Sequence, residues 1–231
     1  MKTLSTYITE GLKIGKKYRQ NKTYSYHPKD RNELHNIIRK LLKERGNDAD
    51  MNDIDVSEIT DMSELFSGLD PYNIDISEWD VSNVTNMREM FWGCNHLDTD
   101  LSSWNVSNVI STNNMFYKCY AFQSDLSDWD LSSLVDGDWM FFKCHEFNSD
   151  LKNWDLTNLE SADCMFYECR LLNSDISGWR LDNIKTMSEM FLSCESLKCD
   201  LSNWNINIKH KGNKYNVFYN CPNIIPPKSL E

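Results

Sequence analysis

Residues 75–94 read DISEWDVSNVTNMREMFWGC. Alone, the stretch has the parts of an active site: Asp75, Ser77, Asp80 and Cys94 bring carboxylates, a hydroxyl and a thiol together. Whether it is one depends on whether it occurs once. It returns as DLSSWNVSNVISTNNMFYKC from Asp100, DLSDWDLSSLVDGDWMFFKC from Asp125, DLKNWDLTNLESADCMFYEC from Asp150 and DISGWRLDNIKTMSEMFLSC from Asp175. It begins again at Asp200 as DLSNWNINIKH, so the spacing is 25 residues every time. A weaker copy, DIDVSEITDMSELFSGL, is read from Asp53, with Val56, Ile59, Met62, Leu65 and Phe66 in the matching places. A fixed period of about 20 to 50 residues marks a solenoid or a propeller.

Three columns recur within the chain. Trp79, Trp104, Trp129, Trp154, Trp179 and Trp204 hold the fifth position. Phe91, Phe116, Phe141, Phe166 and Phe191 follow twelve residues later, and Phe218 follows Trp204 by fourteen, which places two extra residues in the KHKGNK loop. Cys94, Cys119, Cys144, Cys169, Cys194 and Cys221 come three residues after each Phe. A catalytic group is needed once, so a residue needed in every unit reads as structural.

The apolar positions Leu101, Trp104, Val106 and Val109 approximate the L-x-x-L-x-L spacing of a leucine-rich repeat. This predicts a short strand over residues 103–107 with Trp104 and Val106 turned inward. STNNMFYKC then reads as a turn of helix or 3₁₀ on the opposite wall. The expected fold is an α/β-type solenoid: a leucine-rich-repeat-like right-handed coil with one parallel sheet, about seven 25-residue units and an N-terminal cap helix. At about 4.8 Å per coil the rod would be roughly 34 Å long. The expected organisation is an amphipathic segment and linker over 1–28, the capping helix over 29–50, the solenoid over 51–221 and a tail over 222–231.

At these residues the chain resembles the BspA-type leucine-rich-repeat proteins, a bacterial and phage group. D-[LI]-S-x-W-[DN]-[VL]-S-N-[VL] followed by M-F-x-x-C carries the likeness, over about residues 52–221. The resemblance implies a binding or adhesion role, commonly at a cell or particle surface, without catalysis.

Net charge is −11 and unevenly spread. Residues 1–50 hold twelve Lys and Arg against six Asp and Glu, so the remainder is strongly acidic. Such a solenoid repels nucleic acid and suits a basic or neutral polar partner. Six of the eight cysteines belong to the repeated column, and Cys164 and Cys199 are extra. No C-x-x-C pair occurs, so zinc is not favoured. Buried free Cys behaves as a small hydrophobe, and reduced thiols fit cytosolic synthesis. No cofactor or metal is expected.

MKTLSTYITEGLKIGKKYR has no apolar core of a signal peptide, and no stretch reaches the roughly 20 apolar residues of a membrane span. Synthesis in the cytoplasm without a signal peptide is expected, which departs from exported members of the resembled group. Leu4, Tyr7, Ile8 and Leu12 fall at i, i+3, i+4 and i+8, an amphipathic docking helix. MKTLSTYITEGL also looks like leaders on proteins of tailed phages of gut bacteria. Asp30 and Glu33 form a capping box; Leu34, Ile37, Ile38, Leu41 and Leu42 form the apolar face of the next helix, and Gly46 is its stop.

The outward residues of the predicted strand form the candidate binding face: Glu78, Asp80, Asn105, Asp128, Asp130, Asp155, Arg180, Asp182 and Asn205. The leading Asp column is expected to bond turn N–H groups, with calcium bridging as the alternative. His27, His35, His96, His145 and His210 share no column, so no nucleophile has a histidine partner. The reading is a non-catalytic interaction protein binding a protein or glycan. Residues 1–15 would tether it to a phage particle or another assembly, with no nucleic-acid and no membrane partner. The alternatives are a bacterial cell-surface adhesin exported by a non-standard route and a glycan hydrolase using Asp128 and Asp130.

Overall fold

The computed structural model describes residues 22–208 and 210–230. Leu4, Tyr7, Ile8 and Leu12 of the docking segment lie outside the described residues. Helix α1 spans Arg31–Arg45. Asp30 caps it by accepting the Glu33 N–H, and Glu33 in turn accepts the backbone N–H of Lys29, one residue ahead of the usual box partner. Gly46 ends it at φ 86°, a region glycine enters without strain, and donates to the Leu42 carbonyl at 3.0 Å. Leu34, Ile38 and Leu41 are buried, while Ile37 and Leu42 pack at the margin of the core.

Beyond α1 the chain advances in 25-residue units that stack on one another. Parallel bridges join Asp61 to Asn86, Asn86 to Ser111, Ser111 to Asp136, Asp136 to Ser161 and Ser161 to Thr186. The backbone follows from there. The N–H groups of Thr112, Asn114, Phe116 and Lys118 donate to the carbonyls of Asp136, Asp138, Met140 and Phe142 in the next unit. All four bonds run in one direction, because the intervening N–H groups close turns at home: Met115 to Thr112, Tyr117 to Asn114 and Cys119 to Phe116. Asn114 and Lys118 stand at φ 56° and 62° to allow this, as do Trp139 and Lys143, and Cys164 and Glu168, in later units. Each such non-glycine residue costs about 1 kcal/mol, and the inter-unit bonds hold it there.

This arrangement corrects two expectations. Residues 103–107 are not a strand, and STNNMFYKC is not a helical turn on a wall opposite the ladder; it is the ladder. The reason lies in where the N–H groups go. Those of Trp104 and Val109 turn back to Leu101 and Val106, so that wall has few donors left for a neighbour. Side chains bridge the units there instead: Trp104 Nε1 donates to Ile76 O at 3.1 Å and Asn108 Nδ2 to Ser82 O at 2.8 Å. Among the described residues, regular strand is confined to β1 (Cys199–Asp200), parallel to β2 (Ile224–Ile225), where the tail closes on the last unit.

The Trp and Phe columns stack in the interior, with ring centres 6.4 Å apart for Trp79 and Trp104 and 5.5 Å for Phe91 and Phe116. Each Trp of the column donates its indole N–H to the carbonyl 28 residues earlier, from Trp79 to Met51 through Trp204 to Ile176. The Cys column does the same job at the other corner. Cys144 Sγ donates to Phe116 O at 3.0 Å, a carbonyl that the Cys119 N–H already uses. Cys94, Cys119, Cys169, Cys194 and Cys221 repeat the bond.

The near end departs from the expected boundaries. Asp50 bridges Asp75, so the first unit begins three residues before Asp53, with Ile54 in the Trp column. Residues 24–27 are not linker: Tyr26 bridges Ile54, and Ser25 donates to Asp53 O at 2.8 Å. At the far end the Met187 N–H reaches Asn213 O, where Thr112 reaches only Asp136, so two extra residues do enter ahead of Asn213. They are taken up beside a 3₁₀ turn over Lys211–Lys214.

Helix α1 finishes the ladder. Arg31 Nε donates to Ser63 O at 2.6 Å, and His35 Nδ1 lies 2.9 Å from Leu65 O. A carbonyl only accepts, so His35 carries its proton on Nδ1. These carbonyls hold the positions that accept ladder N–H groups in every later unit, and α1 supplies the donors of a unit that is not there.

Candidate binding site

The face expected from sequence is exposed but does not converge. Asp80 is half-buried, and Glu78, Asn105, Asp128, Asp130, Asp155, Arg180, Asp182 and Asn205 are exposed along one wall. Several of their oxygens serve the chain itself. Asp80 and Asn105 accept from the hydroxyls and N–H groups of Ser82 and Ser107; Asp130 accepts the Ser132 N–H, and Asp155 the Thr157 hydroxyl and N–H. Arg180 pairs with Asp182. The leading column bonds its own turns too: the N–H groups of Ser77, Ser102, Ser127, Lys152, Ser177 and Ser202 donate to the Asp two residues before each. The Ser127 N–H and hydroxyl hold Asp125 below the usual carboxylate range, and the Ser177 and Ser202 hydroxyls and N–H groups do so for Asp175 and Asp200.

The wall is acidic, and Lys152 and Arg180 are its only basic residues between Asp50 and Asp200. Two cations from the N-terminal part meet its first units, Lys22 pairing with Glu78 and Arg45 with Asp53, and His27 Nδ1 lies 3.4 Å from Asp55 Oδ2.

The concavity lies one column further on. Asn83, Asn108, Ser133, Asn158 and Asn183 form one bank of a groove of about 810 Å³, and Thr85, Ile110, Val135 and Glu160 form the other. It crosses five units. The banks are built by the repeat: Asn83, Asn108, Asn158 and Asn183 each donate Nδ2 to a carbonyl of the preceding unit, at 2.7–2.8 Å. Each amide keeps one N–H and its oxygen for a ligand. Ile110 is 49% exposed, a large apolar side chain open to solvent at mid-groove. None of these residues is among those expected from sequence: the recurrent Asn of S-N-V has the look of a structural column, and the strand expected over 103–107 presents its neighbours instead.

A second outward column was also missed, the residue after each core Phe. Trp92, Tyr117, Phe142 and Tyr167 stack with centres 5.8, 4.7 and 4.6 Å apart, so the rings of the row cover one another's faces. Lys118 and Lys143 lie against it.

The groups that could do chemistry are otherwise engaged. All eight cysteines are free and buried. Burial pushes the Cys94 and Cys164 thiols up to about 12 and Cys221 to about 11, and raises the other five. Asp138 is raised, mainly by burial, and its Oδ1 accepts from Ser161 Oγ and the Asp163 N–H. His96 pairs with Asp70 at 2.9 Å and His145 with Glu168 at 3.6 Å, each within its own cluster. Among the described residues, no group of three or more His, Cys, Asp and Glu is placed to hold a metal ion, and no helix is long and apolar enough to cross a membrane.

A chain built from one 25-residue unit, with its groove made of equivalent positions from successive units, is a repeat protein. It belongs to the family described as Mycoplasma protein of unknown function, DUF285, whose model matches residues 34–143 and again 123–226. No curated protein and no solved structure matches the chain.

Proposed function

We propose that this chain is a non-catalytic interaction module, a solenoid of BspA-type, leucine-rich-repeat-like units whose partner lies lengthwise in the groove. The observation that carries the reading is the groove itself, continuous over five units and lined by amides, hydroxyls and the apolar Ile110 and Val135. Repeat proteins bind on such extended surfaces because neighbouring units present the same groups at a fixed interval. Hydrogen-bonding banks around an apolar centre, with Glu160 their one charged residue, suit a linear, hydrogen-bonding partner, a glycan or an extended polypeptide. The exposed acidic wall beside it steers cationic partners toward the groove. The test is binding of the full chain to glycan and peptide arrays, repeated with Ile110→Arg and Val135→Arg. Loss of the bound class in both variants, with unfolding unchanged, supports the reading; retained binding, or turnover of a bound glycan, sinks it.

The tether rests on sequence alone. Deleting residues 1–15 should release the protein from phage particles or whatever assembly it joins in its source; unchanged association would remove that part of the proposal.

A further inference from the structure

The ladder that joins the units is polar. Past the bridge residues, its N–H groups point toward the C-terminal end of the stack and the accepting carbonyls toward the N-terminal end, whereas the residues just before, such as Ile110 and Val135, donate backwards to Thr85 and Ile110. The last complete interface shows the pattern: Met187, Glu189, Phe191 and Ser193 donate to Asn213, Tyr215, Val217 and Tyr219. In the final unit the corresponding N–H groups of Asn216, Phe218 and Asn220 meet no acceptor among the described residues. The tail gives them no hydrogen bond. It pairs instead at the other side of the coil, where Leu201 donates to Ile225 O and β1 meets β2. A row of aligned, unmatched N–H groups is both a template for an added chain and a concentration of positive partial charge.

Two further features mark the same end. Phe218 closes the aromatic column: one face stacks on Phe191 at 5.7 Å, no ring follows on the other, and the side chain is half-buried where Phe91 to Phe191 are fully buried. Lysines follow one another at this end of an otherwise acidic solenoid, at Lys211, Lys214 and Lys228, and Lys214 reaches the Ser229 carbonyl.

We propose that the final unit is a docking edge for an extended acidic polypeptide segment, distinct from the groove. Alternate carbonyls of the segment take the Asn216, Phe218 and Asn220 N–H groups, an apolar side chain covers Phe218, and carboxylates face the lysines. A second copy does not fit. Tail to tail, donors would face donors. Head to tail, the carbonyls of Ser63 and Leu65 are already taken by Arg31 and His35.

The test is NMR on the full chain, titrated with an end-blocked peptide of alternating Glu and Leu, its Lys–Leu counterpart, and inorganic phosphate. Before addition, the amides of Asn216, Phe218 and Asn220 should exchange quickly while those of Glu189, Phe191 and Ser193 are protected. The acidic peptide should shift and protect the first three, at least tenfold more tightly than the basic one, and Lys211→Glu with Lys214→Glu should remove that preference. The proposal is overturned if phosphate alone reproduces the shifts, if the shifts fall in the groove, if both peptides bind equally or neither binds, or if association of the chain with itself protects these amides.

Discussion

Trp129 offers the sharpest test of how the stack holds together. Its side chain is 3% exposed, and its indole N–H donates to Leu101 O at 3.0 Å. Trp129→Ala opens a cavity worth about 3–5 kcal/mol. The lost hydrogen bond adds about 1 kcal/mol. It adds no more, because Leu101 O keeps the Trp104 N–H at 3.1 Å and is not left bare. The sum is about 4–6 kcal/mol, or a fall in Tm of roughly 10–20 °C for a chain of this size. Trp129→Phe keeps most of the ring and forfeits the donor, so it should cost about 1–2 kcal/mol. Urea unfolding followed by far-UV circular dichroism measures both, with the slope against denaturant expected to stay constant. An alanine variant within about 1 kcal/mol of the parent, or a phenylalanine variant as damaged as the alanine one, would refute the division between volume and bond.

Removing the helix's donors, as Arg31→Ala or His35→Ala, should cost about 1 kcal/mol each and speed amide exchange selectively in the first unit; uniform exchange along the stack would show that α1 caps nothing. The leading carboxyls give a pH signature. Asp125, Asp175 and Asp200 have folded values lowered by their turn bonds, so their contribution is present above the ordinary Asp value of about 4 and is lost as pH falls through the lower folded values. Asp138, raised chiefly by burial, works in the opposite sense. The urea midpoint should therefore be level down to about pH 5 and fall below pH 4, less steeply in Asp125→Asn with Asp175→Asn, whose amide oxygens still accept. A thiol reagent at pH 8 should leave the native cysteines unmodified, since burial lifts Cys94 and Cys164 to about 12, and should label all eight in denaturant; rapid labelling of the native protein would mean that the units open readily.

The 25-residue period was plain in the letters, and it returns in the structure as the spacing of bridges from Asp61 to Thr186. What the letters hid was the wall that carries the ladder. Alternate burial at Trp104 and Val106 has the period of a strand, yet two turns placed back to back bury the same residues. The true ladder needs left-handed backbone at Asn114, Trp139 and Cys164, and nothing in the side chains of Trp139 or Cys164 announces that. Val56, Ile59, Met62, Leu65 and Phe66 of the first unit stand in the expected columns, but the letters put its start at Asp53 instead of Asp50, because its other markers are substituted, with Ile54 for the Trp and Leu69 for the Cys. The groove escaped notice for a different reason. A repeated Asn that bonds a neighbouring carbonyl is structural, and the same Asn, seen from solvent, is half of a binding bank.

The columns of Trp and Cys have a bearing on ancestry. Each interface brings its own indole and thiol and bonds only the unit before it, so excising or duplicating one whole period, such as residues 125–149, leaves the flanking units with the partners they already recognise. A gain or loss of another length keeps the bonds across a junction only where the surplus is looped out, as the two extra residues ahead of Asn213 are. Unequal crossing-over within the gene can therefore lengthen or shorten the rod in steps of one coil, and with it the groove, while α1 and the lysine-rich end stay fixed at the extremities.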